Sequence, residues 1–215
     1  MPTAGDILQA FMGMCTGMEF WNTVFFSLLR VIIGFILAVV SGVILAWFSY
    51  RYNIVYNFVY PVLSVIKAAP VASFIILALL WICSGHVPAF ISFLMVLPMI
   101  WSNVLQGFKE TDRKLLEMAD VFDFSVQRKI KMIYIPQVIP YFKTSCITGL
   151  GFAWKSGIAA EVISTPELSI GRKLYESKIY IETPELFAWT LTVIILSILA
   201  EKVFSTLLNR FIKLR

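Results

Sequence analysis

The sequence has little charge for its length. Only 14% of its 215 residues are Asp, Glu, Lys or Arg, whereas 59% are hydrophobic. A soluble domain of this size carries roughly a quarter charged residues. Two stretches, 31–50 and 68–108, contain no charged residue at all. Because one helical membrane crossing needs about 20 apolar residues, the composition excludes an ordinary soluble domain and predicts an all-α integral membrane protein.

Residues that carry metal, redox or nucleotide chemistry are also scarce. The cysteines Cys15, Cys83 and Cys146 have no CxxC spacing, so we expect small buried side chains and no metal or redox site. The one histidine, His86, lies in a predicted turn, and without a GxSG motif it does not indicate a hydrolase. The absence of a Gly-Lys dipeptide excludes a P-loop. We therefore expect no catalytic residue, metal or ATP site in this chain.

Hydrophobic runs and prolines predict five transmembrane helices. Four predicted crossings are continuous: 22–50, 89–108, 136–163 and 184–208. The remaining segment, 54–84, is longer than one crossing and contains Pro61 and Pro70. We expect it to begin as a broken or re-entrant segment and to continue as a helix over about 71–83. Residues 1–21 are predicted to form a surface arm, and 22–215 a single transmembrane domain.

Five crossings place the termini on opposite sides of the membrane, and the basic residues predict which side is which. Segment 109–131 carries six Lys or Arg residues and the tail after 208 carries three more, whereas 1–29 carries none. Because cytoplasmic loops are enriched in Lys and Arg, we expect 109–131 and the C terminus in the cytoplasm and the N terminus outside. Three bases in 164–183 count against this orientation, but three glutamates offset them. The net charge of +5 needs no nucleic-acid partner to explain it.

The charged segment between the third and fourth crossings has the pattern of two short amphipathic helices. Its first apolar stripe has helical spacing: Leu115, Met118, Ala119 and Phe122. A second stripe follows the candidate N-cap Ser125 and ends at Pro136. We expect both stripes to rest on the ends of the membrane helices, with charges and Phe124 facing the cytosol. The pattern alone fits a solvated loop on the lipid headgroups equally well.

This segment resembles the signature loop of the permease subunits of bacterial ATP-binding cassette (ABC) importers, which reads Glu-Ala-Ala, three residues, Gly, nine residues, Ile-x-Leu-Pro. Four positions match in register: Glu117, Ala119, Ile133 and Pro136. Met118 and Ile135 are departures, and Asp123 stands where the signature has the Gly that permits a left-handed turn. Further stretches resemble the nitrate, sulfonate and taurine permease group: 27–35, 67–81, 84–85, 151–154, 159–161 and 200–202.

The resemblance implies a multi-pass permease of the bacterial inner membrane that works as a homodimer. Its loop 109–135 would be a coupling helix seated on one of two cytoplasmic ATPase subunits, which bind ATP and Mg²⁺. An extracytoplasmic binding protein would deliver the cargo, a small anion or organic solute, near 164–183. The expected ATPase contacts are Glu117, Met118, Ala119, Asp123 and Phe124. The alternative is the scaffold subunit of an energy-coupling-factor vitamin importer, which also has coupling helices but pairs with a small substrate-binding membrane protein.

Ionisable residues inside the predicted crossings are candidates for the translocation pathway, because charge in a bilayer is costly and normally faces a cavity or a partner. Lys67 and Lys155 could attract an anion, or Lys155 could pair with Glu161 across neighbouring helices. For Lys67 and Lys143, snorkelling to the headgroups is the simpler interpretation. Trp154 is predicted either to pack in the core or to act as a gate.

Overall fold

The computed structural model describes residues 3–213, which contain helices and no strand. Ten α-helices follow one another: α1 Ala4–Cys15, α2 Met18–Arg51, α3 Asn53–Ala68, α4 Val71–Ala78, α5 Val87–Lys109, α6 Arg113–Val121, α7 Val126–Lys129, α8 Ile135–Ser164, α9 Ile170–Ile179 and α10 Thr183–Lys213. A short π-helix, Ile130–Tyr134, joins α7 to α8. The predicted all-α class is confirmed for this part of the chain.

Three of these helices are long and apolar enough to cross a membrane, namely α2, α5 and the part of α10 over Thr183–Arg210. Helices α3 and α4 make a fourth if they are counted as one crossing, although they are bent by 103° relative to each other. The bend falls at Pro70, which has no N–H to continue α3 and which forces Ala69 into an extended conformation. A broken segment was predicted here, but α4 ends at Ala78 instead of continuing to about 83.

Helix α8 occupies the fourth predicted crossing and lies at the centre of the helix bundle. Its 30 residues make it about 45 Å long. Small and polar residues and three charged ones make α8 less hydrophobic. It is therefore not among the helices that are apolar enough, by composition, to cross a membrane. It packs against α2, α4, α5, α9 and α10. Because its neighbours cover much of it, α8 can carry polar side chains that a lipid-facing helix could not.

Helices α2 and α5 run in the same direction, and small residues let them approach closely. A Cβ on Gly34 would collide with the Ala89 carbonyl oxygen near the start of α5. Near the other end, Trp101 Nε1 donates to Ser49 Oγ at 3.0 Å. Helix α8 runs antiparallel to both, because Ser92 Oγ, early in α5, donates to the carbonyl of Ala153, late in α8, at 3.0 Å.

The broken segment α3–α4 connects the two ends of the bundle. At the end where α5 finishes, Tyr56 of α3 stacks on Trp101, with ring centroids 6.0 Å apart, and Lys109 Nζ lies 4.6 Å from the Tyr56 centroid. At the other end, Ile75 of α4 packs in a cluster with Val87, the first residue of α5. The broken segment therefore traverses the same bundle as α2 and α5. Helix α10 runs parallel to α2.

Candidate functional site

Helices α6 and α7 form the predicted hairpin at the end of the bundle where α2 and α5 finish. Each begins with a side-chain cap. The Asp112 carboxylate accepts from the Lys114 N–H at 2.9 Å, and Ser125 Oγ accepts from the Arg128 N–H at 3.4 Å. The predicted N-cap at Ser125 is confirmed. An ion pair between Lys129 and Asp120 ties the second helix to the first.

The turn between α6 and α7 requires a left-handed residue, and Asp123 supplies it with φ 51°. The Asp123 N–H donates to the Asp120 carbonyl at 3.1 Å, and the Phe124 N–H donates to the Ala119 carbonyl at 2.9 Å. This pair of hydrogen bonds is the Schellman arrangement, which usually places Gly at the left-handed position. The position that the signature fills with Gly is therefore left-handed here as well, and Asp keeps the turn.

Replacing Asp123 with glycine is expected to stabilise the hairpin, because the left-handed conformation costs a residue with a Cβ about 1 kcal/mol or more. Asp123→Val, with a β-branched side chain, should destabilise it by a similar or larger amount. Thermal unfolding of the purified chain in detergent, combined with limited proteolysis of the hairpin, measures both effects. Equal protease sensitivity in the two variants would contradict this account of the turn.

Four large apolar side chains are exposed on the hairpin, among charged residues. Val121 is 80% exposed and Phe122 67%, and Met118 and Val126 are also exposed. In the first predicted stripe only Ala119 is buried. The expectation that this stripe rests on the membrane helices is therefore wrong for most of its length. We call Met118, Val121, Phe122 and Val126 the hairpin patch.

An aromatic cluster connects the base of the hairpin to α2 and α5. Tyr134, just before α8, lies edge-on to Trp47, with centroids 5.9 Å apart, and Tyr50 stacks on Phe108 at 5.4 Å. The Tyr50 and Tyr134 hydroxyls are 3.4 Å apart. Burial, together with this hydroxyl contact, raises the pKa of Tyr134 to about 12. The phenol is therefore neutral at physiological pH, and the cluster joins three helices without a charge.

Two lysines line one cavity on the side of the bundle formed by α3, α5 and α8. The cavity has a volume of about 530 Å³, and its titratable residues are Lys67 and Lys155. Ser156 lies beside them, and Met95 and Met99 of α5 form part of the wall. Both methionines lie at least about 12 Å from either end of α5. The two positive charges therefore face a cavity near the mid-length of the bundle.

Glu161 lies in a different environment, fully buried between α2, α8 and the start of α9. Its Oε2 accepts from Ser27 Oγ at 2.8 Å and from the Gly171 N–H at 3.1 Å. Its Oε1 is 3.4 Å from Arg30 Nη1. A buried carboxylate is tolerated only when it is hydrogen-bonded and paired, and these contacts meet that requirement.

Arg30 and Ser27 also bind the backbone that precedes and begins α9. Arg30 donates from Nη1 to the Leu168 carbonyl at 3.0 Å and from Nη2 to the Glu167 carbonyl at 2.8 Å. Ser27 Oγ accepts from the Ile170 N–H at 2.9 Å. We call Ser27, Arg30 and Glu161 the Glu161 cluster. It fixes segment 167–171 to α2 and α8, at the opposite end of α8 from the hairpin.

Comparison with known families supports the resemblance that the hairpin suggested. The signature of the family described as "Binding-protein-dependent transport system inner membrane component" matches residues 34–214. That range includes the hairpin, both lysines of the cavity and Glu161. The chain belongs to this family. It is an inner-membrane permease of the ABC-importer type, as predicted, and its family is that of a non-catalytic transport subunit.

Individual relatives extend the similarity along nearly the whole permease. A probable ABC transporter permease protein of Brucella melitensis is 24% identical over 205 residues, covering 94% of this chain and 82% of the relative. The putative aliphatic sulfonates transport permease protein SsuC of Bacillus subtilis is 23% identical over 220 residues, covering 100% and 78%. The nitrate import permease protein NrtB of Synechocystis is 26% identical over 141 residues, covering 65% and 51%.

The permease presents most, but not all, of the predicted hairpin contacts at its surface. Glu117, Met118 and Asp123 are exposed, and Phe124 is half-buried, with the Arg128 guanidinium 4.5 Å from its ring centroid. Ala119 is fully buried. Ala119 therefore packs inside the hairpin. Phe122, which the sequence pattern assigned to the buried side, and Val121, which it left out, are exposed instead.

Two of the four predicted pathway residues of the permease line a cavity together, and the other two are buried at separate contacts. Lys67 and Lys155 line the same cavity. Trp154 is buried and donates from Nε1 to the Val193 carbonyl at 3.1 Å, so it packs α8 against α10. Glu161 is buried as well and pairs with Arg30, not with Lys155. Sequence reasoning missed Arg30, although a lone basic residue inside the predicted crossing 22–50 was a signal that could have found it.

Proposed function

We propose that this permease is the transmembrane subunit of an ATP-driven importer. Two copies form the translocation pathway, and each hairpin binds one cytoplasmic ATPase subunit. The hairpin patch carries this proposal: four large apolar side chains are exposed on a capped helical hairpin at one end of the bundle. Exposed apolar clusters of this kind mark protein interaction sites. ATP and Mg²⁺ would be bound by the two ATPase subunits, which close on ATP and draw the hairpins together.

The arrangement of the helices supports five membrane crossings. The segment α3–α4 traverses the bundle despite its bend, and α8 is long enough to do so. With α2, α3–α4, α5, α8 and α10 as the crossings, the N-terminal arm lies at the end of the Glu161 cluster and α10 finishes at the hairpin end. The bases of 109–131 then assign the hairpin end to the cytoplasm and the arm to the outside of the bacterial inner membrane.

The lysine cavity supports a second copy and a water-filled route. A charged side chain near the mid-length of a membrane helix does not face lipid, whereas a cavity or a partner can accommodate it. In the part of the chain that the structure describes, Lys67 and Lys155 lie on the α3–α8 side, while the exposed residues of α10 over 194–199 are apolar, and exposed Glu201 and Lys202 follow them toward the hairpin end. We therefore place the two-fold axis and the pathway beside the lysine side, and lipid beside α10.

The cargo that fits two lysines facing one cavity is a small anion, delivered by an extracytoplasmic binding protein. The names of the relatives point the same way, since they refer to aliphatic sulfonates, nitrate and bicarbonate. The segment 164–183, which contains α9, would receive the binding protein. The family's description as binding-protein-dependent favours this function over the scaffold of a vitamin importer, which works without such a protein.

The proposal is tested by co-purification of the permease with its ATPase. The double variant Val121→Asp, Phe122→Asp should insert normally, because both side chains are exposed, yet retain less than a tenth of the ATPase that the wild-type permease retains. Tyr180→Asp, an equally exposed aromatic residue at the other end of the bundle, is the matched control and should retain all of it. Wild-type retention by the double variant would remove the hairpin patch from the interface.

A further inference from the structure

The Glu161 cluster lies far from the hairpin, yet a single helix joins the two. Glu161 is 26 residues beyond Ile135, the first residue of α8, which corresponds to about 39 Å. The hairpin continues from α7 through the π-helix into α8 without a turn or coil residue. Helix α2, which carries Ser27 and Arg30, contacts the hairpin base through Trp47 and Tyr50. Both helices of the Glu161 cluster are therefore attached to the hairpin at their opposite ends.

The backbone within the segment 167–171 that the Glu161 cluster holds, and just before it, is strained. Thr165 and Leu168 have φ of 42° and 47°, a left-handed conformation that is unfavourable for residues with a Cβ. Such positions persist when surrounding contacts fix them. Here the fixing contacts come from Arg30, which binds two consecutive carbonyls, and from Ser27, which receives the Ile170 N–H.

Helices α8 and α9 also pack too closely to slide past each other. A Cβ placed on Gly171 would overlap Glu161 and the Val162 backbone nitrogen. The Gly171 N–H lies 3.1 Å from Glu161 Oε2. Helix α9 is thus held to α8 by backbone proximity as well as by charge, and a displacement of α8 displaces α9 with it.

We propose that Ser27, Arg30 and Glu161 are positioning residues that transmit movement between the hairpin and α9, the surface that receives the binding protein. The inference rests on the proposed function, and it assigns Glu161 a role outside the translocation pathway. When the hairpin is drawn inward, α2 and α8 carry α9 with them. Because coupling between binding equilibria is reciprocal, a binding protein docked on α9 shifts the position of the hairpin through the same contacts. A hairpin held in the ATPase-closed position then stimulates ATP hydrolysis.

The test uses the complete transporter in proteoliposomes, with ATPase activity measured in the absence and presence of the binding protein. The binding protein is saturated with whichever of nitrate, bicarbonate or an alkanesulfonate raises its melting temperature most. Glu161→Gln removes the charge but keeps the shape of the side chain. We expect basal ATPase activity and assembly within twofold of wild type, and a loss of at least tenfold in the stimulation by the binding protein.

Gly171→Ala perturbs the same contact without changing any charge, and the same loss of stimulation is expected. Its matched control is Gly151→Ala on α8, where an added Cβ meets no atom within 4 Å, and stimulation there should be that of wild type. If Glu161→Gln does not assemble, Arg30→Lys, which keeps the positive charge but cannot bind two carbonyls through one planar group, replaces it under the same criterion.

Full stimulation in an assembled Glu161→Gln or Gly171→Ala transporter would overturn the inference, because a merely structural role would leave the stimulation ratio unchanged. Failure of the proposed function is distinguishable from this outcome. In that case the wild-type permease itself would neither retain the ATPase nor respond to the binding protein, and the variants would play no part in the result.

Discussion

Reversing the charge of Glu117 to lysine is expected to reduce uptake at least tenfold while the permease remains inserted and folded. Glu117 is exposed on α6 one helical turn before Val121 of the hairpin patch, so the two share a helix face and the charge meets whatever covers Val121. Bringing a charge of the wrong sign into a protein interface costs several kcal/mol. The ATPase would then bind weakly or hydrolyse ATP without moving the hairpin. Uptake into proteoliposomes, measured in parallel with ATP hydrolysis, quantifies the loss.

The matched control is Glu110→Lys, which adds the same charge to the same segment, 109–131, but lies before α6, at the end of α5. Both changes alter the distribution of positive charge equally, so an effect on membrane orientation would lower uptake in both. We expect uptake close to wild type in the control. Normal uptake with Glu117→Lys would exclude this carboxylate from the contact.

The hairpin illustrates how far sequence can predict this site. Helical spacing and capping residues predicted two short helices and the cap at Ser125, because these are local properties of the backbone. The side on which the apolar stripe would lie was predicted wrongly. Amphipathic spacing identifies residues that share a face, but it does not say whether the same chain or a partner covers that face. Phe122 is an example: the pattern placed it on the same face as buried Ala119, yet its side chain is exposed.

The buried charges show a different limit. The composition predicted that ionisable residues in the crossings would be paired or face a cavity, and both outcomes occur. The pairing itself is a tertiary property: Glu161 and Arg30 are 131 positions apart in the chain, and no spacing rule connects them. The bend at Pro70 was predictable, because the missing N–H of proline is local. The direction in which α4 continues depends on packing against α5 and α8, and sequence alone does not give it.

Reversal of the charge at Lys155 is expected to reduce anion uptake at least tenfold while ATP hydrolysis stays coupled to the binding protein. A unit charge about 8 Å from a bound anion contributes about 2 kcal/mol at an effective dielectric constant of about 20, so its reversal changes the interaction by about 4 kcal/mol. Water and salt in the cavity reduce this value, which leaves an effect of about tenfold or more. Uptake of the anion that stabilises the binding protein measures the loss.

The contrast with Lys143→Glu makes the prediction specific to the cavity. Lys143 lies on the same helix, α8, but outside the residues that line the cavity with Lys67 and Lys155. Both variants change the charge of one helix by the same amount, so a general effect of negative charge in α8 would lower uptake equally. We expect a loss only for Lys155→Glu. Because the hairpin and the Glu161 cluster are unchanged, stimulation of the ATPase should persist in both variants, and equal uptake in both would exclude Lys155 from the route of the anion.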